Sequence, residues 1–93
     1  MLTKTSPSTI VSDEGWQVEV LGRAGIRYTE AGKQMRIDSE VLAGPAGMAV
    51  YSSSIRTWLP PHENEGICDS DRARIVENVR RAFKIEGFDI HVF

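Results

Sequence analysis

The feature that most constrains this chain is one strongly amphipathic stretch near its C-terminal end, DSDRARIVENVRRAFKIEG. Its apolar side chains recur at helical spacing and form a single stripe, which consists of Ile75, Val76, Val79, Ala82 and Phe83. Asp69 or Ser70 supplies a capping oxygen for the first turn, where Asp71 adds negative charge that the helix dipole favours. Gly87 ends the helix. A helix with one apolar stripe must bury that stripe against a second layer.

The second layer is predicted to be a β-sheet, because the segments around the helix alternate apolar and polar side chains. Residues 15–22 (GWQVEVLG) have this period of two. Residues 24–42 form a predicted hairpin with its turn at residues 30–33. After a break at residues 43–47, the segment MAVYSSSIRTW is the next predicted strand. The segment FDIHVF after the helix is the last.

The resulting order, β-β-β-β-α-β, predicts an α+β fold of two layers. One helix in the C-terminal half packs on one face of a mainly antiparallel sheet. The opposite face has no second helix to cover it, so it must be polar, covered by loops, or used to bind a partner. Residues 1–13 are rich in Ser and Thr and are predicted to be a flexible N-terminal arm. Residues 14–93 are predicted to form a single domain.

Composition and charge exclude several classes of function. The 11 basic and 13 acidic residues give a sequence pI of about 5.6, which argues against a non-specific nucleic-acid binder. No apolar run reaches the roughly 20 residues that cross a bilayer, and the first residues lack the apolar core of a secretory signal. Cys68 is the only cysteine, so no internal disulfide forms. These features predict a cytoplasmic protein with neither a membrane nor a nucleic-acid partner.

The loop before the helix gathers side chains that could carry chemistry. His62, Glu63, Glu65 and Cys68 lie close together, but their spacing matches no standard zinc pattern. Cys68 with His62 is a candidate nucleophile pair, because a thiol near a helix N-terminus can have a lowered pKa. No motif places a third partner or an oxyanion site beside them. We therefore expect a solvated loop, with no catalytic residue, no metal and no cofactor.

Two larger side chains each have two interpretations. Arg72 points into the apolar stripe of the helix, so it must either extend to water or form an ion pair with Glu40 or Asp38 of the sheet. Trp58, which stands just before Pro60 and Pro61, either anchors a strand end in the core or forms an exposed hot spot for a partner. The core position is favoured for Trp58.

Three segments, GIRYTEAGKQMRIDSEVL, VYSSSIRTWLPP and DSDRARIVENVRRAFKIEGFDIHV, together resemble the immunity protein 74 family. The residues that carry this resemblance are Tyr28, Glu30, Asp38, Ser39, Glu40, Trp58, Pro61, Asp71, Arg72, Ile75, Asn78 and Gly87. The resemblance implies an antidote from a bacterial polymorphic-toxin locus. Such a protein is not an enzyme, and it binds a cognate toxin domain and blocks it. Many toxins of such systems are nucleases.

Residues that recur in such a family are expected to be scaffold, because the surface that selects a toxin should vary among members. The predicted structural residues are Tyr28, Glu40, Trp58, Arg72, Ile75, Val79, Phe83 and Gly87. The predicted partner-binding residues are instead acidic or polar and surround the loop HENEGICD, namely His62, Glu63, Glu65, Asp69 and Asp71. An acidic patch there, with Asp13 and Glu14 nearer the arm, would steer toward the basic groove of a nuclease. A solvated loop and helix cap explain the same acids equally well.

A second function of a different class remains open. The strand FDIHVF could pair with the same strand of another copy, which would make the protein a small homo-oligomeric interaction or regulatory module. This alternative predicts a homodimer in solution that forms without any other protein.

Overall fold

The structure, a computed structural model, describes residues 2–6, 8–21, 25–41, 47–85 and 87–93. Within these ranges the strands are β1 (Leu2–Ser6), β2 (Thr9–Ser12), β3 (Trp16–Val20), β4 (Ile26–Glu30), β5 (Lys33–Ile37), β6 (Ser39–Val41), β7 (Met48–Val50) and β8 (Ile90–Val92). Helix α1 spans Asp69–Ile85, and a short 3-10 turn spans Ser52–Ser54. The break predicted at residues 43–47 lies outside the described residues except for Gly47.

Strands β1 to β5 form one antiparallel sheet in which each strand pairs with the next along the chain. The β4–β5 hairpin closes with the pair Glu30 and Lys33. Its two turn residues, Ala31 and Gly32, have φ angles of 50° and 78°. Positive φ at both central positions is typical of a type I′ turn, whose twist matches that of the flanking strands.

Helix α1 covers one face of this sheet. The side chains that strands β3, β4 and β5 bury beneath it alternate along each strand and are Trp16, Val18, Ile26, Tyr28, Met35 and Ile37. The helix contributes its predicted stripe, with Ile75, Val79, Ala82 and Phe83 buried. Each large apolar side chain that leaves water stabilises the fold by about 1.5–3 kcal/mol. The prediction of an α+β fold, with one helix on one face of a mainly antiparallel sheet, is confirmed.

A smaller sheet in the order β6-β7-β8 shares this core. Strands β6 and β7 are antiparallel, whereas β7 and β8 are parallel because the chain between them returns through α1. The sequence predicts four strands before the helix, but the described residues contain seven. Serine accounts for part of this difference. The Ser54 hydroxyl accepts a hydrogen bond from the Asp38 amide at 2.9 Å and donates to the Tyr51 carbonyl at 2.6 Å, in place of ladder pairing.

The N-terminal segment adds two strands to the larger sheet. Residues 2–6 and 9–12, which lie within the predicted arm, form a hairpin, and its second strand pairs with β3. Ile10 is buried there, and the Val20 amide donates to the Ser8 carbonyl at 2.8 Å. The division of the chain into a flexible arm and a domain from residue 14 stays a prediction.

Candidate functional site

Three of the residues that carry the family resemblance, Tyr28, Glu30 and Asn78, meet inside the protein at the hydroxyl of Tyr28. This hydroxyl donates to Glu30 Oε1 at 2.7 Å and accepts from Asn78 Nδ2 at 2.8 Å. Arg74 donates two hydrogen bonds to the Glu30 carboxylate, from Nε to Oε1 at 3.1 Å and from Nη2 to Oε2 at 2.8 Å. We call Tyr28, Glu30, Arg74 and Asn78 the Tyr28 network. It joins α1 to β4, two elements far apart in the sequence.

The electrostatics of the Tyr28 network follow from its burial. Burial, followed by the hydrogen bond to Glu30, raises the pKa of the Tyr28 phenol well above its usual value. Burial also raises the pKa of Glu30, but the hydrogen bonds from Arg74 and Tyr28 outweigh it and leave this pKa below its usual value. Tyr28 is therefore a neutral donor to a charged carboxylate at ordinary pH. Because Tyr28 is fully buried, this arrangement serves to fasten the helix to the sheet.

The ring of Tyr28 lies between two tryptophans. Its centroid is 6.3 Å from that of Trp16 and 6.5 Å from that of Trp58, both in stacked orientations. Trp58 is only 3% exposed, and Lys33 Nζ lies 4.9 Å from its ring centroid. Trp58 therefore lies in the core, so its side chain does not form an exposed surface for a partner.

Arg72 takes partners that the sequence did not indicate. Its Nε donates to the Ile55 carbonyl at 3.1 Å, and its Nη1 pairs with Asp69 at 2.8 Å. The ion pair with Glu40 or Asp38, which was the alternative to extension into water, is absent among the described residues. Asp69 lies one turn earlier on the same helix, within easy reach of the guanidinium. Glu40 instead accepts a hydrogen bond from the Tyr51 hydroxyl at 3.0 Å.

The predicted partner-binding loop folds against the β4–β5 turn. Glu65 contacts Lys33 Nζ at 3.2 Å and His62 Nδ1 at 2.7 Å. Hydrogen bonds from His62 and then Lys33 lower the pKa of Glu65. Glu63 uses its main-chain carbonyl, which accepts from Thr57 Oγ1 at 3.1 Å, while its carboxylate has no partner within the described parts of the chain.

The two aspartates at the start of α1 are also paired. Asp71 accepts from Arg74 Nη1 at 2.8 Å and from the Cys68 amide at 3.3 Å, and these bonds lower the pKa of Asp71 to about 2. Asp69 pairs with Arg72. Glu14, the acid nearer the N-terminus, pairs with Arg81 at 2.7 Å. Most of the predicted acidic surface is thus already neutralised by nearby cations of the same chain.

The chemical candidates of this loop do not come together. Cys68 Sγ contacts Ser70 Oγ at 3.0 Å, whereas His62 contacts Glu65. Over the residues that the structure describes, no three His, Cys, Asp or Glu side chains are grouped so that they could hold a metal ion. His62, Glu65 and Cys68 therefore belong to a polar loop whose side chains contact one another or nearby residues.

The sheet face opposite α1, which we call the open face, carries no covering helix within the described ranges. Two rows of side chains cross its strands, the first formed by Thr3, Val11, Gln17, Thr29 and Gln34 and the second by Thr9, Glu19, Arg27 and Arg36. All but one of these side chains are polar. Of the three alternatives that the sequence leaves for this face, the described side chains match the polar one.

A groove of about 680 Å³ opens at one corner of the open face. We call it the arginine groove, and its main lining side chains are Leu21, Arg27, Arg36, Asp38, Arg56 and Leu59. Arg27 and Arg36 stand opposite each other on β4 and β5. The alternation of those strands already places these two arginines on one face. Arg56 reaches the groove because the chain after the 3-10 turn returns along β5, where the Leu59 amide donates to the Gln34 carbonyl at 2.7 Å.

An apolar patch surrounds the last strand. Among the described strands, β8 pairs only with β7, so its other side is an open edge of the smaller sheet. The large side chains exposed near it are Ile85, Phe88, Val92 and Phe93, the last being 67% exposed. A depression of about 430 Å³ lies between Phe88 and the end of α1.

Comparison with known proteins identifies a family. Neither the curated proteins nor the solved structures give a significant match to this chain. Among the described residues, no helix is both long enough and apolar enough to cross a membrane. The family model described as Immunity protein 74 matches residues 17–92, which include the whole Tyr28 network and all of α1. The chain therefore belongs to the Immunity protein 74 family.

Proposed function

We propose that this protein binds a cognate bacterial toxin domain and blocks it by covering its working surface, without any catalysis of its own. The observation that carries the proposal is the family match over residues 17–92. Protection of the producing cell would then act in its cytoplasm. The burial of Tyr28, Trp58, Ile75 and Asn78 supports the view that family-like residues hold the scaffold, which leaves the choice of toxin to exposed side chains.

The acidic set, defined as His62, Glu63, Glu65, Asp69 and Asp71, remains our proposed docking surface for a basic toxin such as a nuclease. Its members lie at one end of the sheet, because Glu65 contacts Lys33 and Asp71 shares Arg74 with Glu30. Exposed ion pairs of this kind are worth only about 0–1 kcal/mol. A toxin with a strong basic groove can therefore displace these internal partners at little cost.

The test is co-expression with the C-terminal domain of a large protein encoded beside this gene. We expect the wild-type chain to restore growth and to elute with that domain as a stoichiometric complex. The double variant Glu63→Lys/Glu65→Lys should lose the complex, because two reversed charges would face a basic groove. Glu77→Lys is the matched control, since Glu77 is an exposed acid that pairs with Arg80 on α1.

Two results would count against this proposal. Continued killing with no complex, when the toxin is shown to be expressed and active, contradicts toxin blocking by the wild-type chain. A complex that survives the Glu63 and Glu65 reversals contradicts the acidic set as the docking surface.

A second candidate function rests on the open edge of β8. An edge strand flanked by the exposed apolar side chains of Phe88, Val92 and Phe93 is a template for pairing with another copy. This homo-oligomeric module predicts a dimer in analytical ultracentrifugation that Val92→Lys dissociates. A monomer at all concentrations used would exclude it.

A further inference from the structure

The described arginines differ in whether they are neutralised within the chain. Five of them form ion pairs with nearby carboxylates, namely Arg27, Arg72, Arg74, Arg80 and Arg81. Over the same described residues, Arg36 and Arg56 form none. Both of these arginines line the arginine groove. The cations without an internal partner are therefore concentrated at one place on the surface.

The register of the sheet places Arg36 where its charge lowers the stability of the isolated protein. Arg36 stands directly opposite Arg27 in the β4–β5 ladder, and like charges at opposed positions destabilise a sheet. Glu19 Oε1 neutralises Arg27 from the other side, at 3.0 Å. Among the described residues, no equivalent carboxylate contacts Arg36. The unpaired Arg36 therefore lowers the stability of the isolated fold, and a bound anion would offset this repulsion.

The walls of the groove restrict what that anion can be. Leu21 and Leu59 provide apolar surface beside the charged groups, and Leu59 is 40% exposed. The Ser54 hydroxyl is already occupied by the Asp38 amide and the Tyr51 carbonyl. Recognition in the groove therefore rests on the two guanidinium groups and on apolar contact.

We infer that the arginine groove binds an acidic segment of the partner protein, whose carboxylates pair with Arg36 and Arg56. The inference rests on the proposed toxin-binding function in one respect, since the partner is taken to be the toxin domain. Planar guanidinium groups match carboxylates with two parallel hydrogen bonds, which gives geometric selectivity as well as affinity. The leucine walls suit an apolar residue beside the acids.

A protein segment fits the groove better than a nucleic acid does. Asp38 lies within the groove and Glu19 borders it, so a continuous phosphate backbone would meet negative charge. The formal net charge of the chain is −2, and it offers no broad basic field to a polyanion. Carboxylates on a peptide can instead be spaced so that they reach Arg36 and Arg56 and avoid Asp38.

The experiment is a titration of the full ¹⁵N-labelled chain with a hexaglutamate peptide at low salt, followed by NMR. Saturable shifts should map to β4, β5 and residues 54–59. The double variant Arg36→Gln/Arg56→Gln should weaken the apparent affinity at least about tenfold. Arg80→Gln, which removes an exposed arginine on α1, is the matched control and should change nothing. Folding of the double variant is not at risk, because it relieves the repulsion with Arg27.

Several outcomes would overturn the inference: no saturable shifts, shifts that map away from the groove, or equal binding by the double variant. Tighter binding of a short oligothymidylate of similar charge would assign the groove to nucleic acid instead. Co-expression separates this inference from the proposed function. If Arg36→Glu/Arg56→Glu protects cells as well as the wild type does, the groove is excluded while immunity stands. If the peptide binds but the wild type never protects, toxin blocking fails while the groove stands.

Discussion

Removal of one buried hydroxyl, by Tyr28→Phe, tests how the helix is fastened to the sheet. The change leaves Asn78 Nδ2 without its partner in a residue that is 8% exposed, and an unsatisfied buried donor costs about 1–3 kcal/mol. Glu30 loses one bond but keeps two from Arg74, so we add only about 0.5–1 kcal/mol for it. The two contributions give an expected loss in free energy of unfolding of about 1.5–4 kcal/mol, and at about 4–8 °C per kcal/mol in a domain of this size Tm falls by about 6–32 °C.

Urea unfolding provides the assay. Fluorescence of Trp16 and Trp58 reports on the same core, since both rings stack on Tyr28. Far-UV circular dichroism is the second probe, because the substitution itself alters the surroundings of both tryptophans. Tyr51→Phe is the matched control. Its hydroxyl bonds to the exposed Glu40, so its loss should change stability by no more than about 0.5 kcal/mol.

A double-mutant cycle decides whether the reasoning is right. Asn78→Leu removes the donor that Tyr28→Phe would leave unsatisfied. If that donor causes the loss, the two changes together should cost at least about 1 kcal/mol less than the sum of the single changes. Strict additivity, or a Tyr28→Phe variant as stable as the wild type, would refute the account of the Tyr28 network.

Three further predictions concern single positions. The bonds that lower the pKa of Asp71 from its ordinary 3.8 to about 2 stabilise the fold at pH values above 3.8. This stabilisation is lost as the pH falls toward 2, so Asp71→Asn should make Tm depend less on pH in that range. Gly25→Ala should cost several times more than Gly32→Ala in urea unfolding: both have positive φ, but only at Gly25 would the new Cβ meet a carbonyl oxygen, at 2.5 Å. Thr29→Val should hold or raise stability by up to about 1 kcal/mol by calorimetry, because Thr29 Oγ1 is buried without a partner among the described residues; a fall would contradict this.

The spacing of apolar residues was sufficient to predict those helices and strands whose position is determined by side-chain burial. The stripe of α1 and the alternation about Tyr28 and Met35 predict the helix, its buried side and the β4–β5 hairpin. Ser and Thr segments gave a weaker signal. Strand β1 buries little of its surface, and its pairing with β2 depends on main-chain hydrogen bonds. Such bonds require no alternation of apolar side chains, so the sequence of β1 carries no strand pattern. The serines at residues 52–54 redirect the chain in a way that alternation alone does not encode.

The contacts between distant segments could not be predicted from local pattern. Tyr28 and Asn78 are separated by 50 positions, and nothing near either residue indicates the other. Arg56 enters the arginine groove only because the chain folds back along β5. The acids before the helix were visible in the sequence, whereas the neutralisation of Glu65 by Lys33 depends on how the loop folds against the β4–β5 turn.

The acidic set and the arginine groove lie side by side, and this has a consequence for specificity. Thr57, which lines the groove, donates to the main-chain carbonyl of Glu63 in the acidic loop. A partner that covers both must present basic groups to Glu63 and acidic groups to Arg36. A nucleic acid offers only one sign of charge, and a toxin with a uniformly basic surface would be repelled at the groove. Under the proposed toxin-blocking function, selection of a single toxin would therefore arise from the pattern of charge on a chain whose net charge is only −2. This selection predicts that reversing Glu63 and Arg36 together, which leaves the net charge unchanged, impairs protection in the co-expression assay. The loss should exceed that caused by reversing Glu77, which alters the net charge at an exposed site on α1.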